Sequence, residues 1–125
     1  MDKSFDWKWF LLSFDGRTGR SDYWLRFNLP VIVISAILGA VEGAANGGEI
    51  GLLSSLFMLA ALWPSWAVGV KRCHDRDRSG WFLLIGLIPI VGGIWLLVEL
   101  GFLRGTIGPN KYGPDPLHMM APAAA

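Results

Sequence analysis

His74 and Asp75 are the residue types best suited to acid–base chemistry in this chain, and Cys73 beside them is its single thiol. A histidine partnered by a carboxylate can act as a general base, and a thiol can act as a nucleophile. The spacing argues against both uses. The three residues are consecutive, and apart from Cys73 no nucleophile or second histidine lies near them. The other histidine, His118, falls in the tail, so no metal site is expected either. With no phosphate-cradling glycine loop, no cofactor is expected and the chain is not expected to be an enzyme. The arginines suit a different chemistry. Arg17 and Arg20 form one pair, and Arg72, Arg76 and Arg78 form a second group. Guanidinium groups can grip lipid phosphates bidentately, so these five are the candidate contacts to lipid or to a protein partner. The second group alternates in sign with Asp75 and Asp77, although a pure orientation signal needs only positive charge. Asp75, Asp77 and His74 are therefore expected to form a structural polar cap, with at least one ion pair from Asp75 or Asp77 to Arg17 or Arg20. Glu99 is the acid that falls well inside an apolar stretch, and an intramembrane acid is a functional candidate by default.

These residues sit in three polar motifs. The first is Phe14-Asp15-Gly16-Arg17-Thr18-Gly19-Arg20-Ser21-Asp22-Tyr23-Trp24, with Ser21 a candidate helix N-cap. The second runs from Lys71 to Trp81, with Ser79 a candidate N-cap, and the third is Gly108-Pro109-Asn110-Lys111-Tyr112-Gly113-Pro114-Asp115-Pro116. Their order around three apolar spans closely resembles the YhaH-like family of small bacterial inner-membrane proteins, a domain family of unknown function. The resemblance extends from Phe14 to Pro116. It implies a location in the inner membrane and supplies no activity.

The elements that must position the motifs are apolar helices. The 125 residues are 53% hydrophobic and 17% charged, against about a quarter charged in soluble domains. The apolar residues fall in three blocks, 25–45, 50–70 and 81–103. Each is about 20 residues long, as a helix needs to cross the hydrocarbon layer, and in lipid the backbone must satisfy its own hydrogen bonds. The fold class is therefore an all-α membrane protein with three transmembrane helices. Pro64 is expected to kink the second span. Pro89 and Gly92-Gly93 interrupt the third, which fits one kinked crossing or a re-entrant hairpin; the single kinked helix is the expectation taken here. Gly39 and Gly43 give a small-xxx-small pair suited to close helix packing. Before the spans, residues 1–24 lack the pattern of a cleaved signal peptide. Trp7, Phe10, Leu11 and Phe14 follow helical spacing, predicting a short interfacial helix. The segment 71–80 reads as a basic loop, and 104–125 as an irregular tail ending in a disordered Ala-Pro stretch.

Orientation follows from the basic flanks. Lys3, Lys8, Arg17 and Arg20 precede the first span and Arg26 stands at its very start, and Lys71, Arg72, Arg76 and Arg78 follow the second. The loop between those spans carries Glu42 and Glu49 and no basic residue. The N-terminus and the 71–80 loop, with Cys73, are therefore predicted to be cytoplasmic in a multi-pass protein of the bacterial inner membrane. With three full crossings the tail is outside. The net charge of +1 leaves no basic surface for nucleic acid. The function expected is non-enzymatic association with membrane proteins, another copy of the chain or anionic lipid. The alternative is a small transporter or channel subunit acting as an oligomer, with Glu99 and the broken third segment lining a path.

Overall fold

A short helix cannot hold itself in water or at an interface unless its ends are satisfied, and the first element, α1 (Trp7–Leu12), meets that need from neighbours. The computed structural model describes residues 5–117. The Asp6 carboxylate accepts the Trp9 N–H at 3.0 Å, capping the helix start. Phe10 is fully buried against Phe27 and Val68, which anchors the helix as the sequence spacing predicts.

Two long helices follow. α2 (Arg20–Ala45) begins several residues before the expected span. Its N-cap is Gly19 rather than Ser21, and its stretch Tyr23–Asn28 is wound as π-helix. α3 (Leu52–Asp75) also outruns its expected end, because no helix breaker stands between Val70 and Asp75. The first half of the second motif is therefore helix, not loop. The turn between α2 and α3 uses Gly47 and Gly48 at φ +68° and +95°. Glu42 folds back over it, and its carboxylate accepts the N–H groups of Leu53 and Ser54, both at 2.7 Å. A residue expected merely to close the first span thus caps the second. α3 ends in a tight hydrogen-bonded turn. Arg78 N–H donates to Cys73 O and Asp77 N–H to His74 O, with Asp77 left-handed at φ +60°.

The third apolar segment departs from expectation. It is not one kinked helix but a hairpin of two short helices. A 3-10 arm (Gly80–Leu87) leads out, and α4 (Val91–Phe102) leads back, α-helical to Leu96 and π-wound after it. Pro89 disfavours helix at the residue before it, and Ile88 is indeed extended. Ile90 then adopts φ 65°, ψ −64°, and Val91 N–H donates across it to Pro89 O at 2.6 Å. That is a γ-turn of the rarer, strained sign. Close approach of the two arms requires glycine: a Cβ on Gly92 would lie 1.9 Å from Ile85 O. Both ends of the hairpin consequently return to the same end of the α2–α3 pair.

Among the described residues there is no strand, only an isolated antiparallel bridge between Asn110 and Gly113. α2 and α3 are long and apolar enough to cross a membrane; α4 is shorter. Their outer faces are open, with Val41, Leu59, Leu62, Leu87 and Ile90 all well exposed. A monomeric soluble protein rarely exposes so large an apolar surface.

Candidate functional site

Buried charge gathers where α1, the start of α2, the end of α3, both hairpin ends and the tail meet. Asp75 is its centre. Arg17 Nη2 lies 2.9 Å from Asp75 Oδ1, and Arg72 Nη1 lies 2.7 Å from Asp75 Oδ2, with all three side chains nearly inaccessible. The ion pair expected between the first two motifs thus forms between Arg17 and Asp75. Asp77 is exposed and, among the described residues, makes no ion pair; its position is explained by its left-handed turn. Arg76 and Arg78 meet Glu99 at 2.7 and 3.2 Å. Glu99, expected inside a span, is instead drawn to the polar end, because the hairpin brings the last turn of α4 back beside the end of α3.

The arginines do more than neutralise acids. The last carbonyls of a helix have no intrahelical partner. At the end of α4, Leu100 O accepts from Arg72 Nε at 2.6 Å, Gly101 O from Trp24 Nε1 at 2.7 Å, and Phe102 O from Arg20 Nη1 at 2.7 Å. Leu103 O accepts a short bond from Arg72 Nη2. The following loop is held the same way. Arg76 Nη1 donates to Arg104 O at 2.6 Å, and Arg17 donates to the carbonyls of Thr106, Gly108 and Gly113 at 2.6, 2.7 and 3.1 Å. Cations here also face the negative end of the α4 dipole. This explains how five guanidinium groups, those of Arg17, Arg72, Arg76, Arg78 and Arg104, are accommodated by three carboxylates, those of Asp75, Glu99 and Asp115.

Several contributors escaped the sequence reading. Lys71 is fully buried, and its ammonium donates to the carbonyls of Trp9, Phe10 and Ser13 at 2.6, 2.5 and 2.6 Å. It is the C-terminal clamp of α1, which continuing the helical register of α3 past Val70 would have suggested. The third motif supplies the tail's own framework. Asn110 Nδ2 donates to His74 O at 2.9 Å, and the Tyr112 ring stacks flat on His74 at 4.0 Å. His74 Nδ1 lies 3.0 Å from Gly16 O, so it carries the proton there. Asp115 is buried; burial would raise its carboxyl, but the N–H groups of Gly108 and Leu117 and the Arg104 guanidinium hold it below its usual value. Gly105 has no room for a side chain, since a Cβ would lie 2.0 Å from Asp75 Oδ2. His118 and the Ala-Pro stretch lie outside the described residues.

His74 points to a carbonyl and an aromatic ring, and Cys73 is buried. Among the described residues no cluster of three or more His, Cys, Asp or Glu side chains is placed to hold a metal.

Two long apolar helices with open outer faces, an apolar hairpin and a charge-clamped end cap define a class of small helical proteins with candidate membrane spans. The chain belongs to the family described as "Protein of unknown function (DUF805)", whose model matches residues 11–114. It is 38% identical over 109 residues to Inner membrane protein YhaH of Escherichia coli K12, covering 84% of this chain and 88% of that one. It is also 38% identical over 106 residues to Inner membrane protein YhaI of the same organism, covering 84% and 86%. Uncharacterized protein YiiR is 35% identical over 133 residues, with the same coverage as YhaI. No solved structure matches. Membership in the family, expected from the three motifs, is thereby established, and two of these relatives, YhaH and YhaI, are named as inner membrane proteins.

Proposed function

We propose that this chain is a non-enzymatic integral protein of the inner membrane that acts by association, with other membrane proteins or with anionic lipid. In this reading α2 and α3 cross fully, the 80–103 hairpin is re-entrant, and the N-terminus, the 71–80 segment and the tail all lie in the cytoplasm. The observation that carries it is the division of the surface. The charges buried inside the molecule are used up by internal carboxylates and carbonyls, while the outward faces of α2, α3 and the hairpin are apolar. Placing the tail inside also strengthens the charge asymmetry. Arg104 and Lys111 join the other basic residues on one side, and the 46–51 turn carries only Glu49. The tryptophans fit an interfacial belt: Trp63 Nε1 donates to Leu12 O at 2.9 Å and Trp9 Nε1 to Asp15 O at 2.8 Å.

Lipid attraction in this arrangement falls to the basic rim of Lys8, Arg20, Arg78 and Lys111, which are exposed, and not to Arg17 or Arg72, which are buried. Each rim residue contributes about 1 kcal/mol near an anionic surface. Arg20 also lines a cleft of about 260 Å³ with Ser21, Trp24 and Leu117, open to a headgroup. The transporter alternative loses its lining acid, because both Glu99 oxygens are engaged by Arg76 and Arg78.

Topology is tested with cysteines introduced at Glu49 and Lys111, both exposed. A membrane-impermeant maleimide should label Glu49→Cys in intact spheroplasts and Lys111→Cys only in inverted vesicles. Labelling of Lys111→Cys from outside would restore the three-crossing arrangement. Association is tested by mild-detergent purification with mass spectrometry of proteins and lipids. Quadruple replacement of the rim by glutamine should deplete anionic lipid, and unchanged lipid together with no copurifying membrane protein would overturn the reading.

A further inference from the structure

A cleft opens between α1, α2 and α3, with no hairpin residue in its wall. It measures about 230 Å³ and is walled by Trp7 and Leu11 of α1, Phe27 and Val31 of α2, and Ala61 and Pro64 of α3. Two features of sequence create it. Pro64 cannot donate to the Ala60 carbonyl, which loosens α3 on this face. Small residues at 60 and 61 leave space where α2 presents larger side chains.

The cleft is apolar except for Arg26 in its wall. That guanidinium differs from those of the cap. Its Nε donates to Asp22 Oδ1 at 3.0 Å, and its plane lies over the Phe5 ring at 3.8 Å. Its two terminal amino groups, however, have no hydrogen-bond partner among the described residues. Arg17 and Arg72, by contrast, use every guanidinium nitrogen internally. Arg26 is thus held in place by an acid and an aromatic ring, with its phosphate-binding edge left open beside an apolar cleft.

We infer that this cleft holds one acyl chain of a membrane glycerophospholipid whose phosphate is gripped by the terminal amino groups of Arg26. The chemistry on the two sides of the site matches such a molecule: a fixed planar cation with a free fork suits a phosphodiester, and an apolar cleft beside it suits a hydrocarbon chain. A partner helix or a second copy would fill the cleft with apolar side chains and leave the fork unanswered. The site rests on the membrane-embedded arrangement proposed above, but is separate from the rim and makes a demand the rim does not.

The test is lipid retention by the full chain. Protein reconstituted into vesicles of phosphatidylethanolamine and phosphatidylglycerol is released in mild detergent and its bound phospholipid counted by native mass spectrometry. The wild type should retain one phospholipid per chain through detergent washing. Arg26→Gln removes the fork and Ala61→Phe fills the cleft; each should lower that occupancy about tenfold, while Glu49→Gln, on the exposed turn at the opposite end of α2, should leave it unchanged. Wild-type retention in both cleft variants would overturn the inference, and lipid depletion by the rim variant alone would do so while leaving the broader association intact. Efficient disulfide-linked dimers of an Ala61→Cys variant would also overturn it, by making a second copy the occupant.

Discussion

Lys71 and Arg72 are neighbours in sequence and carry the same charge, yet neither can replace the other. The Lys71 ammonium is a compact donor to three converging carbonyls, two of α1 and one of its C-cap residue Ser13. The Arg72 fork spans Leu100 O, Leu103 O and Asp75, which a point charge cannot reach together. Exchanging the two residues should therefore destabilise the protein although composition and net charge are unchanged. Each lost buried partner costs about 1–3 kcal/mol, read as a fall in Tm in detergent. Asp75 is the harsher test. Asp75→Asn leaves Arg17 and Arg72 facing each other in a buried site, at a cost of about 3–5 kcal/mol. The reciprocal swap, Arg17→Asp with Asp75→Arg, should not rescue, because Arg72 remains and Arg17 also holds three tail carbonyls. Recovery of the wild-type Tm in that double variant would mean that the pair alone matters. Asp77 behaves oppositely. It sits at φ +60° with no ion pair among the described residues, so Asp77→Gly should be neutral or stabilise by up to about 1 kcal/mol.

At the scale of elements, the hairpin depends on backbone proximity more than on side-chain chemistry. Gly92→Ala would drive a methyl into the Ile85 carbonyl, and the arms would have to separate. Overpacking of this kind costs about 1–3 kcal/mol, and the expected readout is faster proteolysis within 80–103 at unchanged helix content. Gly105→Ala makes the matching test at the other end, since its methyl would meet the Asp75 carboxylate. Loss of tail docking there should show as protease sensitivity near residues 106–113. Equal resistance of both variants to the wild type would mean that the close contacts relax without consequence. These glycines were visible in the sequence only as helix interruptions and tail punctuation. Which backbone each one approaches depends on how the chain folds back, and no local pattern encodes that.

For the molecule as a whole, the cap couples α1, both long helices, the hairpin and the tail, so its loss should be cooperative. Acid offers one handle. The Asp115 carboxyl is held below its usual value in the folded protein. A group depressed on folding contributes stability above its unfolded pKa, and that contribution is lost as pH falls through the folded value. Stability in detergent should therefore decline below about pH 4, and Asp115→Asn should be less stable at neutral pH with a shallower acid decline. An identical acid profile in the variant would remove Asp115 from the cap's energetics. Cys73 reports the same unit. It was expected to mark the cytoplasmic face, but it is fully buried, so a maleimide should miss it in the native protein from either side and label it only on unfolding.

Composition and hydropathy by themselves determined the helical class, the two long apolar helices and the short helix before them, because these follow from local periodicity and from the need of a backbone in lipid to bond to itself. The three motifs determined the family. Charge type also marked Asp75 and Asp77 as partners for Arg17 and Arg20, since these flank helices that a short turn makes antiparallel neighbours; the fold selected Arg17 and Asp75. Only the tertiary structure decided that the third apolar segment turns back, because a kinked helix and a hairpin have the same hydropathy and differ in one γ-turn at Ile90. That single reversal brought the α4 carbonyls and the tail within reach of Arg17, Arg20, Arg72 and Arg76. It turned residues that read as lipid contacts into clamps on the backbone, because a guanidinium near an unsatisfied helix end is bound by whichever acceptor the fold delivers first.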